Sequence, residues 1–218
     1  MSNKDPFDRI DEDRSKLRVI ASPSIIPMIR TSIDIEGGPF VMNMYDPPWT
    51  FKTYSDAGKG KSAEQHYGCM DLEGIKRLDV REHAHQHAWF WLWATAPMYD
   101  AARECFEAWD VTYVTQGVWV KTTKDRKGLA FGTGYVLRNC HEPFLIGRIG
   151  KPKICSKSIR STIMAPRREH SRKPDEAYTA AEQLSGPDVA RGDFFSRCWR
   201  PGWIAWGNET GKFNQEAA

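Results

Sequence analysis

The stretch FVMNMYDPPW, residues 40–49, sets a carboxylate, two prolines and a large flat ring directly after an apolar run. Those residue types suit one demanding task, making a nucleobase's exocyclic amine react. Such an amine delocalises its lone pair into the ring and is a poor nucleophile. A carboxylate accepting one N–H and a main-chain carbonyl accepting the other would favour a more pyramidal, reactive nitrogen. Asp46 supplies the carboxylate. Pro47, with fixed φ and no N–H, presents its carbonyl from a rigid turn with no competing donor nearby. Pro48 extends the rigid segment, and Trp49 offers a face on which a base can stack. The competing reading is a strand-end turn with Trp49 buried, and the tetrapeptide alone does not choose between them.

Other groupings in the chain have both a chemical and a plain structural reading. His83, His85 and His87 have the residue type for zinc but precede an apolar strand, and a polar loop is the better reading. FGTG at 131–134 lacks the third glycine and the Lys-Ser/Thr ending of a phosphate loop. Lys121, Lys124, Arg126 and Lys127 beside it would either touch nucleic-acid phosphates or form a solvated loop. PRREHSRK, residues 166–173, reads as a solvated basic face unless its place before a helix start gives it an anion. Cys155 and Cys198 have no evident base partner, so thiol catalysis is not expected.

These residues need elements to hold them. FVMNMY is a short buried strand stopped by the prolines. AWFWLWAT, continuously apolar, is a strand covered on both faces. DLEGIKRLDV has helical spacing. PMYDAARECFEAWD is an amphipathic helix with Pro97 in its first turn. VTYVTQGVWVKT, HEPFLIGRIG, DFFSR and GWIAWGNE read as further strands. A helix begins at Pro174-Asp175-Glu176, where acids meet the positive end of its dipole. Residues 52–67 and 123–134 read as basic, glycine-rich loops. Strands alternating with helices imply an α/β fold with a mostly parallel sheet, whose ligands bind beyond the carboxyl ends of the strands. Asp46 should stand at such an end.

Composition sets the outer limits. A chain of 218 residues forms one ordinary domain, here read as a flexible arm over 1–18 and a single domain over 19–213. A net charge of +3 permits a polyanionic partner without demanding one. The five cysteines are widely spaced, with no Cys-x-x-Cys pair, so a disulfide framework or zinc cluster is not suggested and a reducing cytosol is the simplest setting. No apolar run approaches the ~20 residues that span a bilayer.

From about Phe40 to Glu209 the chain resembles the MT-A70 family of S-adenosylmethionine-dependent adenine N6-methyltransferases. DPPW is similar to its catalytic motif, SAEQHYGCMDLEGIKRLDV to the segment that follows, and FWLWAT and VWVKT to its next strands. GTGYVLRNCHEPFLIGRIGKP resembles the strip carrying an acidic residue, while APRREHSRKPDEAY and RPGWIAWGNE resemble the cofactor side. The resemblance implies a Rossmann-like methyltransferase fold of permuted order, with the catalytic motif ahead of the cofactor motif, and S-adenosyl-L-methionine as cofactor, with no metal. It implies that Asp46 and Pro47 take the target amine, Asp46 also meeting the cofactor's ammonium, and that Trp49 stacks on the base. Tyr67 and Glu142 would line the adenine side, and Lys173 would meet the cofactor carboxylate. Arg197, Asn208 and Glu209 would hold its ribose and adenine, with Asp193 and Phe195 in the cofactor motif. Ser196 stands where the family prefers glycine or alanine, and for the acid upstream of DPPW only Asp34 is near. Lys121 and Arg126 are expected strand contacts.

Short chains of this kind resemble bacterial and phage members that methylate DNA in a cytoplasm, as a monomer or homodimer. RNA as substrate, a required protein partner, or a non-catalytic partner subunit are the alternatives.

Overall fold

The computed structural model describes residues 33, 35–50, 70–132, 136–169, 172–208 and 210–213. The expected arm over 1–18, the loop over 52–67, and Asp34 and Glu209 lie outside the described residues, Tyr67 with the loop.

Seven strands form one sheet: β1 (Phe40–Tyr45), β2 (Ala84–Trp93), β3 (Thr112–Thr122), β4 (His141–Ile149), β5 (Thr162–Pro166), β6 (Arg191–Phe194) and β7 (Ile204–Trp206). Their spatial order is β5-β3-β4-β2-β1-β6-β7. All neighbouring pairs are parallel except those of β4, which runs against both β2 and β3. The sheet is thus mostly parallel and of the Rossmann-like methyltransferase kind that the sequence implies. The chain leaves β1 toward β2 on one side, while β6 lies on the other and leads outward to β7. The ends of β1 and β6 therefore flank a topological switch point, where a ligand crevice forms in such sheets.

Side-chain alternation builds two cores. On one face Tyr45, Phe90, Leu92 and Leu145 pack with Ile75, Val80, Phe106 and Trp109. These come from helices α1 (Leu72–Lys76), α2 (Val80–His83) and α3 (Tyr99–Ala108) and the turn that follows it. On the other face Met42, Met44, Trp89, Trp91 and Trp93 pack with Trp119, Phe144 and α4 (Asp175–Ser185). β2 thus fills both cores from consecutive residues, as its unbroken apolar run predicts. A register shift between Phe40 and Met42 lets these two, of equal parity, face opposite sides.

Three expectations need correction. DLEGIKRLDV makes two short helices, not one. Asp71 caps the first, its Oδ1 accepting the Gly74 N–H at 2.7 Å, and the chain breaks before Val80, where buried Asp79 Oδ1 accepts the Ile33 N–H at 2.9 Å. Pro97 lies in a 3₁₀ turn, Ala96–Met98, leading into α3. His85 and His87 belong to the exposed start of β2 and not to a loop. Among the described residues no three His, Cys, Asp or Glu side chains could share a metal ion, and no helix is long and apolar enough to cross a membrane.

Candidate active site

β1 delivers Asp46 to the switch point. The Asp46 N–H donates to the Phe194 carbonyl at 3.2 Å, a last bond tying the end of β1 to β6. The prolines then end the ladder, since neither has an N–H to donate. Their carbonyls are both engaged: Pro47 accepts the Trp49 N–H at 2.8 Å and Pro48 accepts the Met70 N–H at 2.9 Å. The expectation that the Pro47 carbonyl has no competing donor is therefore corrected; one lone pair folds the turn and the second remains for another donor.

Trp49 is corrected as well. Its ring is buried with Ile75, Leu78 and Leu92, and its indole N–H donates to the Trp93 carbonyl at 3.1 Å. An indole that fills a core and meets a buried carbonyl gains more than one left as an open face. In this arrangement Trp49 is a strut that fixes the turn, not an exposed stacking platform.

Four charged side chains alternate in sign beside that turn. Lys173 Nζ lies 2.9 Å from Asp46 Oδ1 and 2.7 Å from Glu142 Oε1, and Glu142 Oε2 lies 2.7 Å from Lys121 Nζ. Each comes from a different element. Asp46 follows β1, Lys173 precedes α4, Glu142 is on β4 and Lys121 on β3. Trp119 pairs across the ladder with Glu142, so Lys121, two residues on, reaches Glu142 diagonally. The Lys173 ammonium also stands 5.3 Å from the Trp93 ring centre.

Burial raises every carboxyl here, and the lysines decide the rest. For Glu142 burial is outweighed by Lys173 and Lys121 together, which hold it at about 2. For Asp46 burial prevails, aided by Glu142 and opposed by Lys173 and Arg197, so its pKa is raised. Lys173 would be lowered by burial, but its two carboxylates keep it firmly protonated. Lys121, expected on a nucleic-acid strand, is ion-paired with Glu142 and keeps one-quarter of its side chain exposed. Arg126, expected in the same role, pairs with Glu176 on the first turn of α4 at 3.1 Å while remaining largely exposed.

The cofactor motif forms the opposite wall. Asp193 on β6 is buried, its Oδ2 accepting from the Tyr178 hydroxyl at 3.0 Å and the Ser196 hydroxyl at 2.8 Å. Burial pushes its carboxyl up to about 6, against the pull of Ser196, Tyr178 and Arg200. Phe195 takes a left-handed φ of 64°, turning the chain sharply after β6. Gly207, after β7, lies so close that a Cβ there would stand 2.6 Å from the Ser196 carbonyl oxygen. Asp46, Lys173, Asp193, Phe195, Ser196 and Arg197 thus line one cleft. Asn208 lies exposed after β7 and does not line it.

The sequence reading missed Trp93, Tyr178 and Arg200, which also line the cleft. Trp93 ends the strand beside β1, a position that itself signals the ligand edge. Tyr178 falls one helical turn after Pro174. Arg200, stacked 3.3 Å over the Tyr178 ring, carries no sequence signal beyond its closeness to Arg197.

The MT-A70 family profile matches residues 40–209. The chain is 31% identical over 175 residues to an N(6)-adenosine-methyltransferase MT-A70-like protein of Arabidopsis thaliana, covering 79% of this chain and 24% of that protein. It is 30% identical over 176 residues to the N(6)-adenosine-methyltransferase catalytic subunit METTL3 of Homo sapiens, covering 79% and 28%. It is 23% identical over 193 residues to the N(6)-adenine-specific methyltransferase METTL4 of Mus musculus, covering 81% and 39%. The matched region spans about a quarter of the plant and human relatives' length. With its DPPW turn at the switch point and the profile running through both walls of the cleft, the chain belongs to the MT-A70 family, whose methyltransferases use S-adenosyl-L-methionine as methyl donor.

Proposed function

We propose that this protein methylates the exocyclic N6 amine of adenine in a nucleic acid. The observation that carries the reading is the Asp46–Lys173 ion pair at the C-terminal end of β1, inside the cleft that the cofactor motif closes.

The cleft suits S-adenosyl-L-methionine by the chemistry of its donors and acceptors. Lys173 and Arg197 offer cations to an amino-acid carboxylate, and Asp46 offers an anion to its ammonium. Close approach at Gly207 packs the chain after β7 against the Phe195–Ser196 main chain of the cleft wall. When bound, the cofactor supplies an electrophilic methyl on a sulfonium, itself the leaving group. With Asp46 Oδ1 on Lys173, Oδ2 would accept an N–H of the target amine, and the second lone pair of the Pro47 carbonyl would take the other. Both bonds strengthen as the nitrogen turns positive, which favours the transition state over the bound base. The Trp49–Trp93 bond holds this turn before substrate arrives, so little reorganisation falls within the reaction. A base inside a duplex would have to leave the stack, at a cost of a few kcal/mol.

DNA is the polymer expected from the sequence. RNA is the second reading, supported by relatives whose names specify adenosine. Matched DNA and RNA oligonucleotides incubated with labelled S-adenosylmethionine, then digested for nucleoside mass spectrometry, separate them. N6-methyldeoxyadenosine supports DNA, and N6-methyladenosine supports RNA. With label in neither polymer, cofactor binding by calorimetry would support a required protein partner, and no detectable binding would support a non-catalytic subunit.

A further inference from the structure

Lys121 has no place in the cleft, yet it ends a chain of charges that reaches the cleft's central carboxylate. Asp46 and Glu142 both sit on one ammonium, that of Lys173. Two carboxylates sharing one cation leave a net negative charge in a mostly desolvated place, and they compete for it. Lys121 makes the set neutral, and it does so at the Glu142 end only. Its side chain is one-quarter exposed, and its Nζ lies 2.7 Å from Glu142 Oε2 and 4.7 Å from the Trp119 ring centre.

We propose that Lys121 is a positioning residue: by satisfying one oxygen of Glu142 it keeps the Lys173 ammonium on Asp46. Without Lys121, Glu142 would have Lys173 alone and would draw it away. Asp46 would lose the cation that holds it ready to accept an N–H. The groups facing Asp46 are Lys173 before α4, Glu142 on β4, Tyr178 on α4, Asp193 on β6 and Arg197 after β6. Lys173 is shared between Asp46 and Glu142, so it is a member whose allegiance a distant charge can shift. The consequence for turnover rests on the methyltransferase reading, whereas the charge relay does not.

The relay is tested by ¹³C NMR titration of the Asp46 carboxyl, assigned by its absence in Asp46→Asn. In Lys121→Met the Asp46 midpoint rises, and in Lys121→Arg it returns to the wild-type value. In the double variant Lys121→Met with Glu142→Gln, Lys173 serves Asp46 alone and the midpoint falls to the wild-type value or below. The double variant also covers the case where Lys121→Met folds poorly. A midpoint unchanged in Lys121→Met, or still raised in the double variant, overturns the proposal, because a merely structural lysine would move neither. In methyl transfer, the acid limb of the kcat profile follows the same shifts, with about a tenfold loss in Lys121→Met at neutral pH, part of what a 1 Å misplacement costs. A wild-type protein that titrates as described yet neither binds the cofactor nor methylates either polymer would sink the methyltransferase reading and leave the relay standing.

Discussion

The indole N–H of Trp49 donates to the main-chain carbonyl of Trp93 across 3.1 Å, joining the catalytic turn to the end of the neighbouring strand. The two residues lie on opposite sides of a division of labour. Trp49 packs in the core under the helices α1 to α3, while Trp93 lines the cleft.

Replacing Trp49 tests that division. Trp49→Ala removes a buried ring and leaves the Trp93 carbonyl unpaired, and should cost about 3–5 kcal/mol of stability. Trp49→Phe keeps most of the packing and should cost less. Thermal melts read both. Loss of activity in Trp49→Ala with an unchanged melting temperature would instead restore the stacking role.

Glu142 should make stability depend on acid. Its folded pKa near 2 lies below the ordinary value near 4.3, so the folded state binds its proton less readily than the unfolded chain. Its stabilisation is full above about pH 4.5 and is lost as pH falls toward about 2. Glu142→Gln should therefore be less stable than wild type at pH 7, by no more than about 3 kcal/mol. Urea melts across that range should show the gap closing. A gap constant with pH would mean that Glu142 is not held ionised by its lysines.

Asp193 carries the opposite sign. Burial raises its carboxyl to about 6, above the ordinary value near 3.9, so the folded state binds the proton more tightly. Ionising it costs stability as pH rises from about 4 to about 6. Asp193→Asn keeps an oxygen to accept from Tyr178 and Ser196 and avoids that cost. The variant should gain on wild type across this window in chemical melts, and a flat difference would contradict the assignment.

Gly207 should tolerate no side chain. A Cβ would stand 2.6 Å and 2.9 Å from the Ser196 carbonyl oxygen and nitrogen, atoms of main chain that cannot swing aside. Gly207→Ala is expected to weaken cofactor binding at least tenfold by calorimetry, because the loop after β6 must shift. Wild-type affinity would show that this loop does not hold the cofactor.

Much of this was legible in the sequence where local pattern decides structure. β2 could be read because an unbroken apolar run fits only a strand buried on both faces, and Asp46 was placed at a strand end because prolines stop ladders. Trp49 was harder. The same ring can stack or fill a core, and what decides is a carbonyl 44 residues away. Lys121 looked like one more basic residue beside a glycine-rich loop. Its true partner depends on the register of β3 against β4, which puts Glu142 diagonally across, and register between distant strands is not written in either one. Tyr178 lay hidden for a related reason, because which face of α4 meets β6 follows from packing and not from helical period alone.

The central claim is that Asp46 activates an adenine amine from the end of β1. Single-turnover methyl transfer by wild type and Asp46→Asn, followed by nucleoside mass spectrometry, tests it most directly. The substitution keeps size and shape while removing the charge that Lys173 holds. The account predicts N6-methylated adenine from wild type and at least a hundredfold slower transfer from Asp46→Asn, as for other groups that act on a reacting proton, with melting temperature and cofactor affinity changed far less. Near wild-type transfer by Asp46→Asn would contradict it.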